Sequence, residues 1–120
     1  MNGILILAHG SKRQETEEIL SSLVEKVRKK TGAELIAPAF LQFSDMSLEK
    51  GVDQLVQEGA RTVCIVPMFI FDGMHVTYDI PEELEGIKAK YPEVEIRMSS
   101  HIGDDDKLAE IIVDRINSIA

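Results

Sequence analysis

Residues 3–11 read Gly3-Ile4-Leu5-Ile6-Leu7-Ala8-His9-Gly10-Ser11. From Ile4 to Ala8 every side chain is apolar, with no polar residue alternating. That is the pattern of a strand buried on both faces, as in the middle of a parallel sheet. We place a first strand at about Gly3 to Ala8. His9 and Gly10 end it, and Ser11 opens a helix. Ile19, Leu20, Leu23, Val24 and Val27 then recur at helical spacing, until Thr31-Gly32 stops the helix.

The same strand-then-helix unit recurs along the chain. A second strand spans about Glu34 to Phe40. A second helix begins near Ser44 or Asp45, buries Leu48, Val52, Leu55 and Val56, and stops at Gly59. The third strand runs from about Thr62 to Val66. Pro67 has no N–H to give a ladder, so we end the strand before it. An apolar loop through Met68, Phe69, Ile70 and Phe71 leads to Gly73 and His75. It reads as a pocket wall for a large flat ligand; a continued buried strand packing Phe69 and Phe71 is the alternative.

Asp79 and Glu82 have capping-box spacing, and Pro81 suits a first helical turn. Leu84, Ile87 and Tyr91 give the third helix its inward face. A fourth strand covers about Val94 to Met98. After Gly103, three consecutive aspartates favour the positive end of a fourth helix. Its apolar stripe is Leu108, Ile111, Ile112, Ile116 and Ile119. A βαβαβαβα order predicts a four-stranded parallel sheet with helices on both faces. We expect one domain over residues 1–120.

Composition narrows the function. The net charge of −8 argues against a nonspecific nucleic-acid binder. It leaves room for an anionic small ligand, because Lys12 and Arg13 directly follow His9-Gly10-Ser11 and offer a local positive patch. A single cysteine, Cys64, forbids an internal disulfide and reads as a small core residue. No basic segment precedes the first apolar run, which is too short for a signal peptide or membrane span. We therefore expect a cytoplasmic protein.

His9 and His75 each lie just past a strand. In a parallel sheet the ligand crevice lies at the carboxyl ends of the strands, so both imidazoles belong on that rim. Neutral imidazoles there suit proton transfer or a metal held briefly. The chain has three histidines and neither CxxC nor HExxH, which is not the donor set of a four-ligand zinc site. His101, the third histidine, follows the fourth strand and could reach the same rim; the reading preferred is a helix-entrance residue without a ligand role. There is no GxGxxG and no Walker A pattern. Leu7-Ala8-His9-Gly10 lacks the arginine with which histidine phosphatases clamp phosphate.

Taken together, these segments resemble the short CbiX-type class II sirohydrochlorin chelatases. The resemblance is carried by His9-Gly10-Ser11, Phe40-Leu41-Gln42-Phe43-Ser44-Asp45, and Val66-Pro67-Met68-Phe69 with Gly73-Met74-His75. Asp79-Ile80-Pro81 and Ile102-Gly103-Asp104-Asp105 complete it, in the family's order. It implies half of a class II chelatase fold, working as a homodimer without a permanently bound cofactor. It also implies the reaction: insertion of Co²⁺ or Ni²⁺, as substrate metal, into sirohydrochlorin for cobalamin or F430 synthesis. A siroheme-type ferrochelatase and a non-catalytic metal or tetrapyrrole carrier are the alternatives.

By the same resemblance, His9 and His75 are the metal-binding and catalytic residues, and His9 accepts the proton. Asp45 matches an acidic substrate-binding position. Ile70, Phe71, Asp72, Gly73 and Met74 match the loop lining the tetrapyrrole site. Gly10 and Ser11 would meet the substrate through their backbone N–H groups. Gln42 stands where glutamate is expected, Met46 where proline is common, and His101 where proline often precedes Ile-Gly.

Overall fold

The first apolar run becomes β1 (Asn2–Ala8), flanked on both sides in the sheet. In the computed structural model, which describes residues 1–71, 73 and 78–120, the elements follow strictly alternating order. They are β1, α1 (Gln14–Thr31), β2 (Leu35–Phe40), α2 (Leu48–Gln57), β3 (Thr62–Pro67), α3 (Ile80–Lys90), β4 (Glu95–Met98) and α4 (Asp106–Ile119). The four strands are parallel, in the order β2-β1-β3-β4. Leu7 lies opposite Ala39 on one side and Pro67 on the other.

Side chains alternate across the sheet. Leu5 and Leu7 point into a core with Leu48, Val52 and Leu55 of α2 and Ile80, Leu84 and Ile87 of α3. Ile6 and Ala8 point the other way, to Leu20 and Val24 of α1. β1 is apolar from Ile4 to Ala8 because both of its faces carry helices. Each fully buried leucine there contributes about 1.5–3 kcal/mol. Gly51 sets the closest approach of α2 to the sheet: a Cβ there would stand 2.6 Å from Leu5 Cδ1 and 3.2 Å from the Ala39 Cβ.

A polar clasp joins α2 to the end of α3. Lys90 Nζ donates to Asp53 at 3.0 Å and to Glu49 at 3.2 Å, and the Tyr91 hydroxyl donates to the same Asp53 carboxylate. Burial works against ionisation of Asp53, but the hydrogen bonds from Tyr91 and Lys90 prevail and hold its pKa below the usual carboxylate value.

Several boundaries differ from those read from sequence. Helix α1 begins at Gln14 rather than at Ser11, because the Ser11 hydroxyl accepts from the Arg13 N–H in a turn before the helix. Helix α2 begins at Leu48, with Ser47 as its cap accepting from the Lys50 N–H. Pro67 is the last residue of β3 rather than the first beyond it. Asp79 makes no side-chain capping bond to α3. Ile19 is exposed rather than on the inward face of α1.

The largest departure is α4. The sequence shows an apolar stripe there, yet no residue of α4 is buried. Ile112 and Ile116 are half exposed and Ile119 is 87% exposed. The radius of gyration, 15.2 Å, exceeds the ~13.6 Å of a compact chain of this length. Beside the root of α4, the α1 side of the sheet holds a wholly apolar groove of ≈ 420 Å³. Ile4, Ile6, Val27, Val66, Met68 and Ile111 are among its walls. Cys64 points to this side and is half-buried rather than sealed in the core.

Candidate active site

The strand order reverses direction at β1. The chain leaves β1 for β2 on one side, then crosses back to β3 on the other. Loops that diverge in this way open a crevice at the carboxyl ends of the two strands. His9 stands at the end of β1 and is exposed. Its ring lies against Phe69, with centroids 4.1 Å apart and planes tilted by 32°. Phe69 is buried, so a fixed aromatic ring supports the imidazole from below.

The backbone stitches the rim together. The Met68 N–H donates to the Leu7 carbonyl at 2.7 Å, and the Gly103 N–H to the Phe69 carbonyl at 3.2 Å. On the other side, Leu41 N–H donates to Ala8 C=O at 3.0 Å, and Gln42 N–H to His9 C=O at 3.1 Å. Three loops, following β1, β2 and β3, thereby meet around His9, and the loop after β4 joins them through Gly103.

Gly10 makes this possible. Its φ is +90°, and a Cβ would overlap the Gln42 carbonyl oxygen, far inside contact distance. Glycine is therefore required both by the backbone turn and by the neighbouring loop.

The rim displays large apolar side chains that a water-soluble surface has no reason to gather. Phe43 follows β2, Ile70 and Phe71 follow β3, and Ile102 follows β4; all are exposed, Phe71 by 80%. A cavity of ≈ 500 Å³ opens between the β3 and β4 loops, walled by Ile70, Phe71, His101, Asp104, Leu108 and Ile112 among others. Lys12 stands over the Phe43 ring, 5.5 Å from its centroid. Arg13 pairs with Glu15 at 3.5 Å on the surface, which offsets its charge.

The residues expected from sequence are thus distributed over three loops. His9, Gly10 and Ser11 lie together on the first. Asp45 is exposed on the second, where its carbonyl accepts from Ser47 N–H. Ile70, Phe71 and Gly73 are exposed on the third. Asp72, Met74 and His75 lie outside the described residues. Among the described residues, no three His, Cys, Asp or Glu side chains gather in a metal-holding group. Sequence reasoning split the apolar loop wrongly, since Phe69 belongs to the core and Phe71 to the rim. It also missed Phe43; of its two readings of His101, the structure agrees with the one that reaches the rim, where His101 lines the cavity.

The CbiX family model matches residues 3–119. The chain belongs to the CbiX family. Its relatives include a sirohydrochlorin cobaltochelatase of Sulfurisphaera tokodaii, 31% identical, with 99% of this chain and 94% of that protein covered. A sirohydrochlorin ferrochelatase of Priestia megaterium is 29% identical over 98% of this chain and 44% of its own length. Among solved structures, the sirohydrochlorin chelatase SirB from Bacillus subtilis subspecies spizizenii, in complex with cobalt, superposes with a TM-score of 0.90 at 26% identity. That match covers 99% of this chain and 51% of SirB. This CbiX chain therefore spans about half the length of the Priestia relative and of SirB, and nearly all of the Sulfurisphaera one.

Proposed function

We propose that this CbiX-family chain is a sirohydrochlorin chelatase, acting in the cytoplasm, that inserts Co²⁺ or Ni²⁺ into the tetrapyrrole. The observation that carries the proposal is the placement of His9. It is an exposed imidazole at the sheet's switch point, resting on a buried phenyl ring and surrounded by outward-facing apolar side chains. A flat apolar macrocycle needs such a rim, and an incoming metal needs such a nitrogen.

The chemistry follows from the residue types. Insertion exchanges one M²⁺ for two pyrrolic protons. Imidazole titrates with an unperturbed pKa of about 6.5, so near neutrality a neutral ring can take a proton. The same ring binds Co²⁺ or Ni²⁺ through nitrogen and yields it to four macrocycle nitrogens. In this proposal His9 and His75 present the metal to one face of the macrocycle; as the metal passes to the ring nitrogens, His9 receives one pyrrolic proton and the other passes to solvent. Ile70 and Phe71, with Asp72, Gly73 and Met74, form the wall along the ring. Backbone N–H groups of Gly10 and Ser11, the Lys12 ammonium and the loop at Asp45 meet the substrate's edge. Metal and tetrapyrrole are both substrates, and no resident cofactor is required.

Iron is the second reading for the metal. It rests on the ferrochelatase named among the relatives at nearly the same identity as the cobaltochelatase. We further propose a homodimer. The uncovered stripe of α4 and the apolar groove beside it call for a cover, and SirB offers the precedent of a chain about twice as long. A second copy of this chain supplies the missing half.

The test is anaerobic metallation of sirohydrochlorin, followed by absorbance with Co²⁺, Ni²⁺ or Fe²⁺, against a no-enzyme control and His9→Ala. Acceleration that disappears in His9→Ala, with unchanged circular dichroism, is the expected result. Stoichiometric binding of the macrocycle without acceleration by any metal would establish a carrier instead. Near-full activity in His9→Ala would remove the role given to that residue.

A further inference from the structure

Phe43 is a non-glycine residue with φ = 61°. Left-handed backbone is unfavourable for a side chain with a Cβ, and an aromatic ring is among the poorer occupants. Such strain survives where the surroundings impose it, and it concentrates at functional positions.

Here the surroundings do impose it. The preceding residue, Gln42, is held by its N–H bond to the His9 carbonyl at 3.1 Å. Just beyond, the Ser44 hydroxyl donates to Glu17 at 2.9 Å and accepts from the Met46 N–H at 3.2 Å. Both ends of the turn are fixed, so the ring is directed outward.

No core packing explains a phenyl group at this place, because 54% of Phe43 is exposed. Its described ring neighbour is Lys12, whose ammonium lies 5.5 Å from the ring centroid, within cation–π range. Lys12 and Phe43 belong to the β1 and β2 loops that meet at His9. The pair therefore combines a flat aromatic face with a positive charge, at the edge of the crevice opposite Ile70 and Phe71.

We propose that Phe43 is a substrate-positioning residue. Its ring stacks on the tetrapyrrole, while Lys12, held beside it, meets a peripheral carboxylate. This inference rests on the chelatase reading and deepens it, because it gives the Phe43 ring, and not only the loop that carries it, a stacking contact with the macrocycle. The Phe43 ring makes its contact with bound substrate before and during insertion alike, so it acts on binding rather than on the chemical step.

The experiment compares Phe43→Gly, Phe43→Asn and Phe43→Trp with the parent protein in sirohydrochlorin metallation and in thermal unfolding. Glycine and asparagine tolerate positive φ. Both variants should melt at or above the parent temperature, yet raise KM for sirohydrochlorin about three- to tenfold, the range of one aromatic contact. Their kcat should stay within about twofold of the parent. Tryptophan should keep KM near the parent value while retaining the strain. An unchanged KM in both the glycine and asparagine variants would overturn the proposal. So would a fall in melting temperature in both, which would make the ring a structural element. If the parent protein neither binds nor metallates sirohydrochlorin, the chelatase reading falls and this inference with it. If the parent is active and the variants match it, the Phe43 inference alone falls.

Discussion

Replacing Gly10 by alanine should damage the site more than the fold, and the structure gives the size of both effects. At φ = +90° a side chain is strained, by about 1–2 kcal/mol. The new Cβ also meets the Gln42 carbonyl oxygen, so the β1 and β2 loops must separate. Separation stretches the Leu41–Ala8 and Gln42–His9 hydrogen bonds, now 3.0 and 3.1 Å, each worth about 0.5–1.5 kcal/mol. Losing one of them brings the total to about 2–3 kcal/mol. For a chain of this size that lowers Tm by roughly 6–15 °C. The protein remains folded at 20 °C, but His9 moves with its loop, and a displacement near 1 Å at a reacting group costs about 100-fold in rate. Gly32→Ala is the internal control: its φ is +71°, yet a Cβ there meets nothing within 4 Å. It reports strain without crowding. Circular dichroism melts and anaerobic metallation at 20 °C would measure both variants. Gly10→Ala matching Gly32→Ala in Tm while keeping the parent kcat/KM would refute the argument.

Two further outcomes test the rest of the structure. Asp53 has a folded pKa below its unfolded value, so its clasp with Tyr91 and Lys90 adds stability above about pH 4. That stability is lost as pH falls through the lower, folded pKa; Asp53→Asn should therefore lose up to about 1 kcal/mol at pH 7 and flatten the acid side of the stability curve. Urea melts from pH 3 to 7 would show it, and parallel curves for both proteins would contradict the assignment. Ile112→Glu with Ile116→Glu places charge on the half-exposed stripe of α4. Burial of the remaining half of each isoleucine is worth about 1 kcal/mol, counted in both copies of a twofold dimer. The double variant should weaken association at least about 100-fold in analytical ultracentrifugation. A parent protein that sediments as a monomer at every concentration would exclude the dimer.

The sequence made β1 legible because a central strand must be apolar on both faces, and Ile4 to Ala8 is. It made the helix starts less legible for a chemical reason. Ser11 and Ser44 carry the same hydroxyl that caps helices, but here each hydroxyl accepts a backbone N–H in a turn, and the helices begin about three residues later. Pro67 was excluded from β3 for its missing N–H, although the last residue of a strand tolerates that loss. For α4 the stripe was read correctly and its cover was not, since periodicity shows which side is apolar and not what lies against it. Phe43 left no local signal. Its left-handed backbone is set by the bonds its neighbours Gln42 and Ser44 donate to His9 and Glu17, which are distant in sequence.

Those observations distinguish two uses of the molecule's exposed apolar surface, which meet at Leu108 and Ile112 of α4, both in the wall of the rim cavity. Of the rim side chains, Phe43 and Ile102 lie beside backbone hydrogen bonds, from Gln42 N–H to the His9 carbonyl and from Gly103 N–H to the Phe69 carbonyl. They are held at fixed positions, which suits a rigid planar ligand that loses little entropy on binding. The stripe of α4 is continuous over about three turns: Leu108, Ile111 and Ile112 line the groove and the rim cavity, and Ile116 and Ile119 beyond them are exposed. Regular helical spacing suits another regular surface, such as the same stripe in a second copy of this chain. Charge sorts the same way. With a net charge of −8, the whole protein repels a polycarboxylate at long range, but physiological salt screens that field beyond about 8 Å. Recognition then falls to the groups at the mouth itself: Lys12 beside Phe43, and the backbone N–H groups after β1. An acidic protein can in this way receive an anionic macrocycle, because the strand ends place its few relevant charges within the screening distance of the substrate.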